Sequence, residues 1–516
     1  MTKGREKSDL RTVPAKRGNA RRGRAETASQ RAVQLELFRE TADSPKGADG
    51  EAAGDRSPPA TCAVPKSRAK TSVPLPAMTM EEVARDENLR EAFRRVASNK
   101  GAPGPDRQSI EQVRSHLDEM LPELRRALLR GNYRPGAVRR VWIPKAGGRR
   151  ALGIPNVVDR MVQQAVAQVL GPHYDRTFHD SSHGFRPGRS CHTAIVKAVE
   201  HLEEGHDWVV DIDLEQFFDR VNHQRLLARL QQRVLDARLL ELLRRMLRAK
   251  VVMPDGVVVS TDEGTPQGGP LSPLLSNIVL DELDWELDRR GHRFVRYADD
   301  CNIYVRSERS GRRVMASVTR FIRRRLRLRV NETKSAIARP EERHFVGFSL
   351  RRDPREGLAQ VWPSKRSKER IDDKIRELTP RTWGQSLRNC IQHINRYLRG
   401  WIEFFRVCTR EAVPMLRNLS SHLRRRLRVV ILRQRKRKRH IARLLIKRGV
   451  RPKTAWQQVY CGKRGLWALS HRPAVERALS NAYLAKLGLV SLDGEWKRRH
   501  PESIANAPRQ PRLASG

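Results

Sequence analysis

The chain has 516 residues, length for about three domains, and sets 104 Lys and Arg against 58 Asp and Glu, a formal net charge of +46. Self-repulsion on that scale calls for a polyanion, so nucleic acid is the expected partner. No apolar run approaches the ~18 residues of a spanning helix, the N-terminus lacks an apolar signal core, and the six cysteines form no C-x-x-C pair. Those features argue against a membrane protein, a disulfide framework and a structural zinc site, and predict a soluble intracellular protein with reduced thiols.

Residues 1–80 mix Arg, Lys, Ser, Ala, Pro and Gly with scattered apolar side chains, as in Gly18-Asn19-Ala20-Arg21-Arg22-Gly23-Arg24. So little apolar surface cannot offset the entropy of ordering, and a disordered basic arm is expected, with room for a short helix over 33–38. Glu6, Asp9 and Glu26 interrupt the basic face and argue against a targeting peptide.

Order is expected from near Met80. Asn99 to Asp106 is a Gly/Pro loop between helical stretches. Val141-Trp142-Ile143-Pro144-Lys145 and Leu152-Gly153-Ile154-Pro155 read as extended segments joined by a short turn, with Lys145 and Arg150 flanking it. Pro155-Asn156 opens a helix whose apolar residues from Val157 to Val169 keep to one face, with Gly171-Pro172 as its expected stop. Ala194 to Leu202 makes a second helix, ended at Gly205.

Trp208 to Asp213 reads as a buried strand. Alternation puts Trp208, Val210 and Ile212 on the core face and Asp211 and Asp213 on the other. Gly264 to Pro270 is a loop whose glycines let a backbone or ligand approach closely, and it leads into a Leu/Ile-rich helix from near Pro273. In Phe294 to Val305 two apolar runs flank Asp299-Asp300, the pattern of a tight hairpin with acids at its tip. A lone Asp-Asp turn would simply face solvent. With a further strand-end acid elsewhere, the pair suits a cage for hard divalent cations such as Mg²⁺.

Val314 to Leu328 reads as an Arg-rich helix and His344 to Phe348 as a last short strand. From about 365 the chain turns helical and more basic. Ile394, Tyr397, Trp401, Phe404 and Phe405 fall at helical spacing, which is ordinarily a packing face rather than a base-stacking one. Leu423-Arg424-Arg425-Arg426 and Arg433 through Arg439 are dense enough to predict salt-dependent RNA binding. The last ~20 residues read as a frayed tail.

The spellings go further than the order of elements. Tyr297-Ala298-Asp299-Asp300, Thr265-Pro266-Gln267-Gly268-Gly269-Pro270-Leu271-Ser272-Pro273-Leu274, His183-Gly184-Phe185-Arg186-Pro187-Gly188-Arg189 and Phe217-Phe218-Asp219 together closely resemble the reverse transcriptases encoded within bacterial group II introns. Arg399-Gly400-Trp401 with Phe404-Phe405-Arg406 resembles their maturase (thumb, or X) domain. The resemblance implies an α+β fold: right-hand polymerase fingers and palm with an antiparallel palm sheet over 81–360, then an α-helical thumb/maturase domain over 361–470. A basic arm (1–80) and a basic tail (471–516) would flank them.

Carried over residue by residue, the resemblance puts metal-binding acids at Asp213, Asp299 and Asp300. Asp213 is preferred to Asp211 because the family's acid stands five residues before the second Phe. It puts dNTP contacts at Lys145 and Arg150, with Arg149 as substitute in a turn one residue short of the common spelling. Phe218 would lie beneath the sugar and exclude a 2′-OH, Gln267 would lie near the nucleotide, and Lys334 would be a basic residue beside the site. It implies two Mg²⁺ ions about 3.5–4 Å apart assisting attack of a primer 3′-OH on a dNTP. The implied partners are intron RNA, an RNA template with DNA primer, dNTPs and target DNA, in a bacterial cytoplasm. Only Cys461 follows Cys408, so the Cys-rich HNH endonuclease of many relatives is expected to be absent, as in class C introns. An RNA-binding splicing factor without polymerase activity, or a reverse transcriptase adopted by its host, are the alternatives.

Overall fold

The computed structural model describes residues 77–500 apart from 146–147, 261–262, 266, 381–385 and 462–464. The arm expected over 1–80, with its helix over 33–38, lies outside the described residues except for its last four. The described strands are β1 (Val138–Lys145), β2 (Gly148–Ile154), β3 (Trp208–Ile212), β4 (Val251–Val252), β5 (Val258–Val259), β6 (Arg293–Tyr297), β7 (Asp300–Val305), β8 (Ala336–Ala338), β9 (Phe348–Arg352) and β10 (Ala359–Pro363). The chain is a mixed α and β protein that divides into two compact units: residues up to Thr177 with Phe218–Ile278, and Phe178–Phe217 with everything from Val279. The units interleave along the sequence.

In the first unit, helix Asp86–Ser98 buries Leu89, Ala92, Phe93 and Val96, one stripe at helical spacing, against helix Val157–Asp175. The latter helix does not stop at Gly171-Pro172 but runs to Asp175. Pro172 forfeits one backbone bond, and burial of Leu170 and Tyr174 on either side holds the last turn. β1 and β2 form the expected hairpin, and β1 continues in parallel to β4, giving the order β2-β1-β4-β5.

The second unit is built on an antiparallel sheet of order β6-β7-β3-β8. Both of its faces are covered. Helix Glu308–Phe321 lies so close on one that a Cβ on Gly311 would stand 2.7 Å from Ile337 Cγ2 and 3.5 Å from Val210 and Val305. On the other, Val209, Val295 and Tyr304 join a large cluster with helix Cys191–Glu203, β9, β10 and the helices from Lys365 onward. Simple alternation therefore misassigned the strand's edges. Val209, on the acid-bearing face, is buried, whereas Trp208 is half-buried with Arg339 over its ring.

Two further expectations are corrected. The strand expected at His344–Phe348 begins only at Phe348. Val346 (φ 44°) and Gly347 (φ 96°) are both left-handed, and Phe345 and Phe348 exchange backbone hydrogen bonds of 2.8 and 2.9 Å across a tight turn. The segment from 471 is also folded rather than a tail, through Arg499. Helices Pro473–Ala478, Asn481–Lys486 and Leu492–Arg499 bury Ala474, Leu484, Leu492 and Trp496, and the Trp496 indole N–H donates to the Cys408 carbonyl at 3.0 Å. Apolar residues three and four apart in short segments drew no helix from a basic composition. Cys191, Cys301, Cys390 and Cys408 are buried free thiols and Cys461 is an exposed one, in line with reduced, packed cysteines.

Candidate active site

β3 pairs with β7 through Val209↔Tyr304, Asp211↔Asn302 and Ile212↔Cys301. The pairing ends at Ile212↔Cys301; carried one step further, that register would set Asp213 opposite Asp300 on the same sheet face. β6 and β7 close through Tyr297↔Asp300, so Ala298 and Asp299 form a two-residue hairpin turn, with Ala298 left-handed at φ 57°. The β3 strand thus ends beside β7 one residue before Asp213, and β7 begins at the Asp-Asp turn.

The Asp213 backbone is tied at both ends. Its N–H donates to Ser335 Oγ at 3.0 Å, and its carbonyl accepts the Asn331 N–H at 2.8 Å. Lys334 Nζ stands 3.8 Å from Asp213 Oδ1. Asp211 is already engaged: Arg343 donates to its Oδ2 through Nε at 2.8 Å and Nη2 at 2.6 Å. Burial pushes the Asp211 pKa up and Arg343 pulls it back. That ion pair leaves Asp213 as the more accessible of the two strand acids.

Among the described residues, no three His, Cys, Asp or Glu side chains gather closely enough to hold a metal ion by themselves. The pair set by the register fits a weaker requirement. Mg²⁺ commonly takes one or two protein carboxylates and fills its octahedron with water and substrate phosphates, and carboxylates at a strand end and a turn are the hard oxygen donors it prefers.

Beneath the turn lies a buried ion pair that the sequence reading missed. Arg296 and Asp284 have fully buried side chains and meet at 2.5 Å. A charged residue at a core-facing position of the apolar strand Phe294-Val295-Arg296-Tyr297 was the available signal, since a buried charge demands a partner. A Cβ on Gly184 would stand 3.0 Å from both Ala298 Cα and the Tyr297 carbonyl carbon. Its neighbour His183 is pushed down to about 3 by burial, with Arg189 and Arg186 adding to the effect, and is therefore neutral.

The residues assigned to the nucleotide fall in the first unit. Lys145 closes β1 opposite Gly148. Arg150 Nε donates to Gln267 Oε1 at 2.8 Å, and the Gln267 carbonyl accepts the Gly153 N–H at 2.6 Å. Gly268 (φ 117°) permits that approach, because a Cβ would stand 2.7 Å from the Gly153 carbonyl. Adjacent strand residues face opposite ways, so Arg150 rather than Arg149 shares a side with Gln267. Phe218 is buried, and its carbonyl accepts the Thr265 N–H at 2.6 Å. Two pairs of sequence-assigned residues thus meet, each within one unit: Arg150 with Gln267, and Lys334 with Asp213.

The two basic runs differ. Arg433 through Arg439 is exposed throughout. The 424–426 run is half-buried and partly spent on packing: Arg425 lies 4.0 Å over the Trp467 ring, and Arg426 Nη2 donates to the Thr379 carbonyl at 2.9 Å. Ile394, Trp401 and Phe405 are buried in the apolar cluster, with Tyr397 and Phe404 packed against it, so this stripe is a packing face.

Residues 143–350 match the family model described as reverse transcriptase (RNA-dependent DNA polymerase). Residues 368–448 match the group II intron, maturase-specific domain. Among curated proteins, the chain is similar to Protein YkfC of Escherichia coli K12, 40% identical over 40% of this chain and 56% of that protein. It is also similar to the group II intron-encoded protein LtrA of Lactococcus lactis, 37% identical over 37% of this chain and 32% of that protein. A putative COX1/OXI3 intron 2 protein of Saccharomyces cerevisiae is 28% identical over 51% of this chain and 38% of its own length. The chain spans little more than half of the first of these relatives and about a third of the second.

Proposed function

We propose, from the premise that this chain joins a reverse transcriptase domain to a group II intron maturase-specific domain, that it is an RNA-directed DNA polymerase that also binds its intron RNA to promote splicing and retrohoming. The observation that carries the polymerase reading is the β3–β7 register, which leads Asp213 to Asp300 beside a turn containing Asp299. Divalent cations held by one or two of these carboxylates, with water and substrate phosphates completing the shell, would supply Lewis-acid activation of the primer hydroxyl and charge neutralisation on the transferred phosphate. Asp213 is suited to its share because its backbone is fixed at both N–H and carbonyl, so the carboxylate is presented from a rigid support. Lys334 balances that carboxylate's charge in the absence of substrate.

Lys145 and Arg150 are assigned to the triphosphate, where cations oppose the negative charge that builds on the leaving group. Gln267 holds the Arg150 guanidinium at a defined angle through its side-chain oxygen. Phe218 is assigned the wall that crowds a 2′-OH and so selects dNTPs. For intron RNA, the exposed run Arg433 through Arg439 offers a phosphate-binding surface.

Primer extension on an RNA template with Mg²⁺ tests the reading. The unaltered chain is expected to make cDNA. Asp299→Ala is expected to lose that activity by a factor of roughly 10²–10³, as when transition-state charge stabilisation is removed, while keeping salt-sensitive RNA binding. An unaltered chain that binds RNA but copies none would leave a splicing factor without polymerase activity.

A further inference from the structure

The hairpin turn is gripped from below by one guanidinium. Arg296 Nε donates to Asp284 Oδ1 at 2.7 Å, and Nη2 donates to Asp284 Oδ2 at 2.5 Å and to Ser182 Oγ at 2.7 Å. Nη1 donates to the carbonyl of Ala298, the first residue of the turn, at 2.8 Å. Ser182 belongs to a segment laid alongside β6: the Ser181 carbonyl accepts the Arg296 N–H at 2.8 Å, and the His183 N–H donates to the Arg296 carbonyl at 2.9 Å. Arg296 therefore ties a helix, an extended segment and the turn to one point.

Stability alone does not call for such an arrangement. A buried ion pair can often be replaced by apolar side chains of similar volume with no loss of stability. What an apolar residue cannot do is hydrogen-bond the Ala298 carbonyl. Ala298 is a non-glycine residue in left-handed backbone, a conformation that persists where its surroundings over-determine it. We infer that Arg296 and Asp284 are a positioning pair for nucleotidyl transfer: Asp284 aims the guanidinium, and the guanidinium fixes the Ala298 carbonyl and with it the placement of Asp299. This rests on the polymerase reading. Neither residue touches substrate, so the effect belongs in turnover rather than in dNTP affinity.

The test uses the full chain with two variants, the apolar pair Arg296→Met/Asp284→Leu and the single Arg296→Lys, whose ammonium keeps the charge but cannot span Asp284 and Ala298 together. Three quantities are read: melting temperature, steady-state kcat with dNTP KM, and hydrogen exchange of amides 297–301 against those of helix Cys191–Glu203. The apolar pair is expected to melt no lower than the unaltered chain. Its kcat is expected to fall at least about tenfold, as a slightly misplaced reacting group does, with dNTP KM unchanged. Turn amides are expected to exchange faster while the helix amides do not. Arg296→Lys is expected to shift kcat and turn exchange the same way.

Retention of kcat in either folded variant, loss of kcat without faster turn exchange, a raised dNTP KM, or failure of both variants to fold would each overturn the inference; the last would make the pair purely structural. If the unaltered chain copies no RNA, the polymerase reading fails on its own account. The exchange of the turn then still decides whether Arg296 fixes it.

Discussion

Gly184→Ala puts the placement of the Asp-Asp turn under a graded strain. A Cβ at 184 would stand 3.0 Å from both Ala298 Cα and the Tyr297 carbonyl carbon, and nearer still to the Ala298 amide nitrogen, where ordinary contact lies at 3.4–4 Å. All three are backbone atoms and cannot rotate aside, so either the 181–184 segment or the turn must move by about 1 Å or more. The segment is pinned through the Ser181 carbonyl and the His183 N–H, both bonded to Arg296, which leaves the turn to share the shift. Overpacking of this kind costs about 1–3 kcal/mol in stability. A displacement approaching 1 Å in a reacting constellation costs roughly 10²-fold in rate, about 2.7 kcal/mol of barrier. Single-turnover primer extension, with RNA affinity measured in parallel, reads the two effects separately. Turnover should fall between ten- and a hundredfold while RNA affinity holds. A folded Gly184→Ala chain with full turnover would refute the claim that this segment sets the turn.

Arg150→Met should lower kcat/KM for dNTP at least about tenfold, the worth of one charge-assisted hydrogen bond to phosphate, with a fall in kcat as part of it. Arg149→Met, on the other side of the strand, should do neither, and the reverse result would reassign the contact. Arg343→Met leaves Asp211 buried without its cation, so its carboxyl, already pushed above the ordinary 3.8, rises further. A folded-state pKa above the unfolded one gives stability that is present at low pH and lost as pH rises through the folded value. The melting temperature of Arg343→Met should therefore fall relative to the unaltered chain from about pH 4 towards neutrality, and a constant difference across that range would count against it. Changing Arg433, Arg435, Lys436 and Arg437 to Gln should flatten the salt dependence of RNA binding, lowering the log–log slope by up to ~3. An unchanged slope would place the RNA surface elsewhere.

Much of the site was legible because its parts have local signatures. The hairpin is a pair of β-branched and aromatic runs around two acids, and Asp213 ends a strand whose pattern can be read from six residues. The Arg150–Gln267 contact joins residues 117 apart, and only the resemblance put both near one nucleotide. The clamp under the turn was hidden for a different reason. Arg296 stands out as a charge in an apolar strand, but nothing local names Asp284 as its partner, and their burial depends on the 181–184 segment laid beside β6, a contact without sequence periodicity. The turn at Val346-Gly347 was missed because Val seldom adopts positive φ. The helices after 471 were missed because each is eight residues or fewer, too short for a periodicity to declare itself.

The place of β3 in its sheet has a bearing on how the chain is made. β3 is an interior strand, flanked by β7 and β8, yet it leaves the ribosome first and waits for partners that begin at Asp300 and Ala336. At ordinary synthesis rates the interval before β7 begins is on the order of 4–18 s. During that time a Trp-Val-Val edge has no native neighbour on either side, which is an invitation to foreign pairing. Nascent chains arrested between residues 215 and 290 should accordingly be richer in bound chaperone than those arrested beyond 340.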